Sequence, residues 1–593
     1  HLVAYEHGME ILLAHADRGW IEPDRAVEWF DRMSKSFEPH LAAVAQTKVL
    51  ERVVRIWEEL FGPNSLVLAR ALTVLGDLYD FRGKYAEAES LYRRALAIRE
   101  EMLGPTHPDV AVSLNNLGTM FAVGARYAEA ERLYLRALDI HERSLGREHQ
   151  DVARSLGYLS SLRVTQGLYA EGESLLLRAL AISEKTLGSE HIDLAATLDG
   201  LADIYFRQGR YVDAEPPLLR AFAIREKTLG SRSSYVGSTL NGLATLYSRQ
   251  GRYKQAETNF LRALAIMEET LGLDHYKVAG CLNNLALLYH DLGCYGESER
   301  MYLRSLALTE EAIGTEHPNF ATGLNNLAGV YHSQGRYKEA ARLYLQANTI
   351  SETTLGPDHP DVAVNLSNLA HIYQVQGRFS EAEPLYLRAL VVSETSLGAE
   401  HDQVATQIGN LASLYQAQGR YRDAEPRHRQ ALEIFEKRLG ARHPSVARAL
   451  GGLASLYRVL HRYSEAEPLL LRALAIEEAN FAADHPAVGD ALTGLGLLYQ
   501  AQSRLADAEP LLLKALKICE AKLRAGHPET AESLNNLASL YHGQGRYAEA
   551  EHLYRRSLGL QEEALGIEHP DTASTMNGLA NALRDQGRFA EAN

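Results

Sequence analysis

HPDVAVSLNNLGTMFAVGARYAEAERLYLRALDIHERSLG, from His107 to Gly146, is the phrase from which this chain is built. Its marker is Tyr127, the aromatic that closes the turn in the middle. The same slot returns at Tyr85, Tyr169, Tyr211, Tyr253, Tyr295, Tyr337, Phe379, Tyr421, Tyr463, Leu505, Tyr547 and Phe589, always 42 residues apart. Thirteen copies therefore follow one another without insertion or deletion. A fixed period of this size marks a repeat architecture, in which each unit buries its apolar face only against its neighbours. One solenoid absorbs most of the 593 residues, with no need for several globular domains.

Each unit reads as two antiparallel helices. Helix A opens at the His-Pro pair, as at His107-Pro108, because proline is tolerated in a first helical turn whose N–H has no partner. It ends at the glycine ahead of the marker, such as Gly83, Gly167 or Gly251. Helix B begins with acidic residues, which the helix dipole favours, and stops at a Leu-Gly pair. Gly104, Gly146 and Gly188 are expected to take the left-handed C-cap conformation there. Two rows of small residues, one through Ala88, Ala130 and Ala214 and one through Ala95, Ala137 and Ala179, mark where helices cross closely. A larger side chain at either row would overpack the interface at a cost of about 1–3 kcal/mol.

The first 40 residues do not obey the period. They read as two helices broken near Gly19 and Pro23, and they hold Trp20 and Trp29. Large aromatics suit a cap over the open end of a stack, and a remnant of a preceding domain would look the same. The solenoid is expected over 41–593, opening on a lone helix B and closing on an incomplete repeat.

Composition narrows the function. The net charge of −15 is spread along the chain, which argues against nucleic acid, since that partner needs a basic stripe. No apolar run reaches the length of a membrane span. Three cysteines without a CxxC spacing point to a reducing, cytoplasmic compartment. The preference for Arg over Lys hints at a GC-rich, bacterial genome. No phosphate loop, dinucleotide fingerprint or nucleophile elbow is present, so no enzyme and no cofactor are expected. The connector histidines, one per repeat from His107 to His569, resemble a ligand supply. Their 42-residue spacing puts each on a different unit, so they are expected to satisfy backbone groups at the start of helix A, and no metal is expected.

Leu117, Gly118, Phe121, Ala130, Tyr134 and Ala137 resemble the signature of the tetratricopeptide repeat. The longer period, with NNLA, GRYxEAE and LGxxHP, is similar to the kinesin light chain type of that repeat, and the likeness covers about 41–593. No sustained heptads precede the repeats, so the motor association of kinesin light chains is not carried over. The resemblance implies an all-α fold: a right-handed superhelical solenoid whose concave groove, lined by helix A, binds a partner peptide. It implies a non-catalytic scaffold. The alternative is the sensor region of a larger nucleotide-dependent signalling or defence switch, and a third possibility is self-association through the C-terminal repeat.

Groove positions follow from the helix A register. Asn115, Asn241, Asn283, Asn325, Asn535 and Asn577 share a slot from which a carboxamide could clamp a peptide backbone, or else bond within the stack. The second asparagine of each pair, as at Asn284 and Asn326, reads as packing between repeats. Four residues beyond the first slot the chain varies, with His371 among the substitutes. Arg154, Arg448 and Arg458 are the groove-side cations. Arg448 and Arg458, ten apart on one helix, could hold an acidic residue or be solvated beside a nearby Glu.

Overall fold

The computed structural model describes residues 43–592 apart from 525 and 568, so the helices expected over 1–40 lie outside the described residues. Among the described residues there are 27 helices and no strand. A lone helix B, Ala43–Phe61, comes first. A typical unit follows as helix A, Pro108–Val123, and helix B, Tyr127–Leu145. The final pair is Pro570–Asp585 with the short Phe589–Ala592.

The two helices of a unit pack most extensively on each other, and each helix B then packs on the next helix A. Most successive A helices also approach one another closely, which places A on the inner, concave face and B outside. The small-residue rows lie at these crossings. Ala130, Ala256 and Ala382 are fully buried, as are Ala137, Ala263 and Ala389. At some helix A glycines a tyrosine fills the gap: a Cβ on Gly118 would lie 2.6 Å from the Tyr134 ring, and one on Gly76 2.8 Å from the Tyr92 ring.

The connector histidines cap helix A. Nδ1 of His107 accepts from the Asp109 N–H at 3.2 Å, and His149, His275, His359 and His569 do the same two residues on. Ser65 and Ser233, the serines in this slot, cap with their Oγ. The other end of the unit departs from expectation. Gly104 has φ 83° but ψ 156°, and Gly146 and Gly188 match it, so helix B ends in a positive-φ extended conformation that only glycine takes readily, not in a left-handed cap. Where Ala482 or Arg524 replaces that glycine, helix B stops one residue earlier, and the residue that ends it, Phe481 or Leu523, has a negative φ.

Charged ladders join the units. Arg252 reaches back to Glu215 at 2.8 Å and lies 3.9 Å above the Tyr247 ring, whose hydroxyl bonds the same Glu215 at 3.0 Å. Arg336 with Glu299 and Tyr331, and Arg462 with Glu425 and Tyr457, repeat the arrangement. A second ladder crosses the outer face, with Arg136–Glu100, Arg178–Glu142 and Arg388–Glu352 each at 2.6 Å.

The superhelix closes on itself. Five whole units lie between the helix A that ends at Val123 and the one that His359 opens. Yet His359 Nε2 sits 3.1 Å from the Val123 carbonyl oxygen, 236 residues away. About six units thus make one coil, and the next coil rests on it.

Candidate functional site

The inner face presents one strip of helix A per unit, and the expected groove residues divide on it. Asn115 is 2% exposed; its amide donates to Ser155 Oγ at 3.3 Å, and His141 Nδ1 lies 2.9 Å from the same oxygen. It is part of the packing and not of the groove surface. Asn283 and Asn325 are half-buried and accept from the second asparagines of the following units, Asn326 at 2.9 Å and Asn368 at 3.0 Å. The paired asparagines thus form a ladder between repeats, as read for the second slot and as one of the two readings left open for the first. Asn241 and Asn535 are also half-buried, each with an Oδ1 that has no protein partner among the described residues. Asn577 is exposed.

The cations behave differently. Arg154 is exposed and paired with Asp151 at 2.7 Å. Arg448 is exposed and reaches only Ser445 Oγ, at 3.4 Å. Arg458, on the same helix Pro444–Val459, is half-buried and has no ion pair among the described residues. His371 faces solvent and meets His332 edge to face at 5.1 Å. Burial holds the His332 imidazole down to about 4, helped by repulsion from His371, His290 and His569.

Arg154 also lines a cavity of about 920 Å³ between the helices Gln150–Thr165, Leu194–Arg207 and Ser234–Arg249. Tyr158, Ser161, Asp203, Arg207 and Tyr235 face it as well. Two local departures from the repeat open this space. Gly157 and Gly200 stand where other units carry asparagine, and nothing lies within 4 Å of a Cβ built on Gly157. His191-Ile192-Asp193 replaces His-Pro-Asp, so this helix A starts late, at Leu194, and Asp193 gives it no side-chain cap. The cavity is electrically balanced, since Arg207 pairs with Asp203 at 2.8 Å and Arg225 with Asp199 at 2.6 Å. Tyr158 and Tyr235 were missed by pattern reading, though the loss of asparagine and proline in adjoining units was a visible signal.

Further along, Asp490, Glu529 and Glu532 gather on the inner side and Glu477 is buried close by. Burial first, then mutual repulsion, pushes Asp490 up to about 6 and Glu477 and Glu529 up to about 7. No group of three or more His, Cys, Asp or Glu side chains suited to a metal ion occurs among the described residues.

Paired helices of 16 and 19 residues, stacked so that A lines a concave face with small residues at the crossings, define a helical-repeat solenoid. The chain belongs to the tetratricopeptide repeat family. Models described as "Tetratricopeptide repeat" match residues 48–101, 82–124, 110–151, 151–227, 235–311, 279–353, 319–394, 361–437, 402–479, 445–521 and 529–593. Among solved structures, the nearly identical TPR-like repeats of a putative kinesin light chain from Podosopora anserina are 29% identical, covering 35% of this chain and 97% of that one with a TM-score of 0.30. BtubC (BKLC) from P. vanneervenii is 24% identical over 40% of this chain and 91% of its own, with a TM-score of 0.31. Yeast Tom70 is 14% identical over 88% and 96%, with a TM-score of 0.39. No curated protein matches the chain. No helix among the described residues is long and apolar enough to cross a membrane.

Proposed function

We propose that this chain is a non-catalytic scaffold that holds a segment of a partner protein against its concave face. The observation that supports this most is the cavity of about 920 Å³ set into that face, with aromatic walls and charge-balanced rims. Such a concavity suits a bulky apolar or aromatic anchor residue, with the flanking backbone taken up by the polar strip beyond it. Arg448 and Arg458, which make no ion pair among the described residues, are the positions for an acidic residue further along the same segment. Charge of −15 favours protein over nucleic acid, and the free Cys281, Cys294 and Cys519 fit a reducing, cytoplasmic setting.

The test is affinity capture read by mass spectrometry, comparing the chain with a Tyr158→Ala, Arg154→Ala, Arg448→Ala, Arg458→Ala variant of equal helicity. A partner retained by the first and lost by the second supports the groove. Equal capture by both removes it. Self-association is a second reading, favoured by His107, His149 and His191, which carry the same capped imidazole as later units but no Nε2 partner among the described residues. A mass that rises with concentration in light scattering would support it, and a constant monomer mass would end it.

A further inference from the structure

In the second coil the connector histidines do two things at once. His401 Nδ1 accepts from the Gln403 N–H at 3.1 Å, while its Nε2 sits 3.1 Å from the carbonyl oxygen of Thr165 on the coil before. Only the neutral tautomer with hydrogen on Nε2 makes both bonds. The same reach across 236 residues joins His443 to Arg207, His485 to Arg249 and His527 to Asp291, at 3.1–3.2 Å. These contacts are close-packed. A Cβ on Gly251 would lie 2.6 Å from the His485 ring, and one on Gly293 would lie 2.8 Å from His527.

Departures from the repeat reinforce the seam. Cys294 stands where other units place the ladder arginine, which would leave Glu257 and Tyr289 without a cation. Arg524 of the next coil supplies it, 2.9 Å from Glu257 and 5.5 Å from the Tyr289 ring. Phe481 stands where other units place the leucine ahead of the helix-ending glycine, and it stacks on Tyr211 of the coil before at 5.6 Å. Both substitutions weaken the local repeat rule and strengthen the contact between coils.

We propose that these histidines are latches that hold the superhelix as a closed coil, so that the seam sets its pitch and shuts the concave groove from the side. A segment then reaches the inner face laterally only after the seam parts. This holds whether or not the groove carries a partner.

Ser233 shows that serine keeps the cap: its Oγ accepts from the Tyr235 N–H in place of the imidazole Nδ1. The experiment replaces His359, His401, His443, His485 and His527 with Ser in the full chain and measures small-angle X-ray scattering alongside circular dichroism. A second variant carries His107→Ser, His149→Ser and His191→Ser, which have caps but no seam bond. The first variant is expected to keep its helicity while its maximum dimension and radius of gyration increase, and the second to scatter as the parent does. Unchanged scattering from the first, or an equal expansion of both, overturns the proposal. Should the first variant lose helicity, Arg524→Ala with Phe481→Leu, the residue that other units carry there, leaves every histidine cap in place. The same lengthening is expected of it, and its absence is equally decisive against the latch.

Discussion

His149 and His401 begin the same sentence of the repeat and end it differently. Both cap helix A through Nδ1, at 3.2 and 3.1 Å. In the first coil the His149 side chain is 45% exposed, whereas in the second the His401 side chain is 6% exposed beneath Thr165. A residue type repeated for one local purpose has acquired a second, long-range one wherever a neighbouring coil comes within reach. The lesson is that identical repeats need not be energetically equivalent.

The sharpest way to break the comparison is a matched pair of truncations. His149→Ala removes a cap, at a cost of about 1 kcal/mol. His401→Ala removes the cap and also the part-buried bond to the Thr165 carbonyl, which adds about 0.5–1.5 kcal/mol. Because repeat stability is a sum over neighbours, the loss belongs to the local unit and not to the whole chain. Hydrogen exchange of the helices Gln150–Thr165 and Asp402–Ala417 reads it directly. Equal loss of protection in the two would mean that the seam bond contributes nothing.

The next effect is on pH. Burial lowers His317 and His485 to about 4, so the unfolded chain, with ordinary imidazoles, binds more protons as pH falls. Their contribution is complete above about 6.5 and is lost as pH drops toward 4. Glu477 and Glu529, raised to about 7, act with the opposite sign: they favour the fold at low pH, and that contribution fades as pH rises from the ordinary carboxylate range through 7. The second coil should therefore be most stable in mildly acidic solution. A Glu477→Gln, Glu529→Gln variant should lose the decline on the alkaline side while keeping the one on the acid side. Melting temperatures across pH 4–8 test this, and an unaltered profile would show that those carboxylates do not matter.

Arg524 allows a rescue of about 1 kcal/mol. Arg524→Ala should loosen the unit around Tyr289, whose ring and Glu257 lose their cation. Adding Cys294→Arg places a cation where Arg252 and Arg336 stand in their own units and should restore local protection. It should not restore the contact between coils. Hydrogen exchange near Tyr289 and scattering from the same samples separate the two readouts, and full recovery of both would reduce Arg524 to a local role.

The contrast also explains what could be read from the amino acids. Helix pairs, small-residue crossings and histidine caps are fixed by contacts within about one unit, where the 42-residue period displays them directly. Asn115 and Asn577 occupy the same slot, yet one is buried against Ser155 and the other exposed, because the depth of the slot depends on what the next unit places opposite. The cavity beside Arg154 was half-legible, through Gly157, Gly200 and the missing proline. The seam was not. Its 236-residue reach arises from small rotations accumulated over six units, and no pairing of Cys294 with Arg524 is visible until the coil is built.

The smallest prediction concerns backbone strain on the two sides of that same divide. Ala125, His461 and Ser503 take φ of 56°, 56° and 61° in the turn where other units use glycine. A Cβ makes this region unfavourable by about 1–2 kcal/mol, partly offset when glycine is introduced because it also gains freedom in the unfolded chain. Ala125→Gly and Ser503→Gly should each stabilise by somewhat under about 1 kcal/mol. They differ in setting, since Ala125 lies two residues past Val123, whose carbonyl meets His359, while no seam bond is made beside Ser503 among the described residues. If Ala125→Gly gains more than Ser503→Gly in urea unfolding followed by hydrogen exchange, the methyl was crowding the imidazole as well as straining the turn. Equal gains would assign the whole effect to φ and show that the seam accommodates a Cβ there without cost.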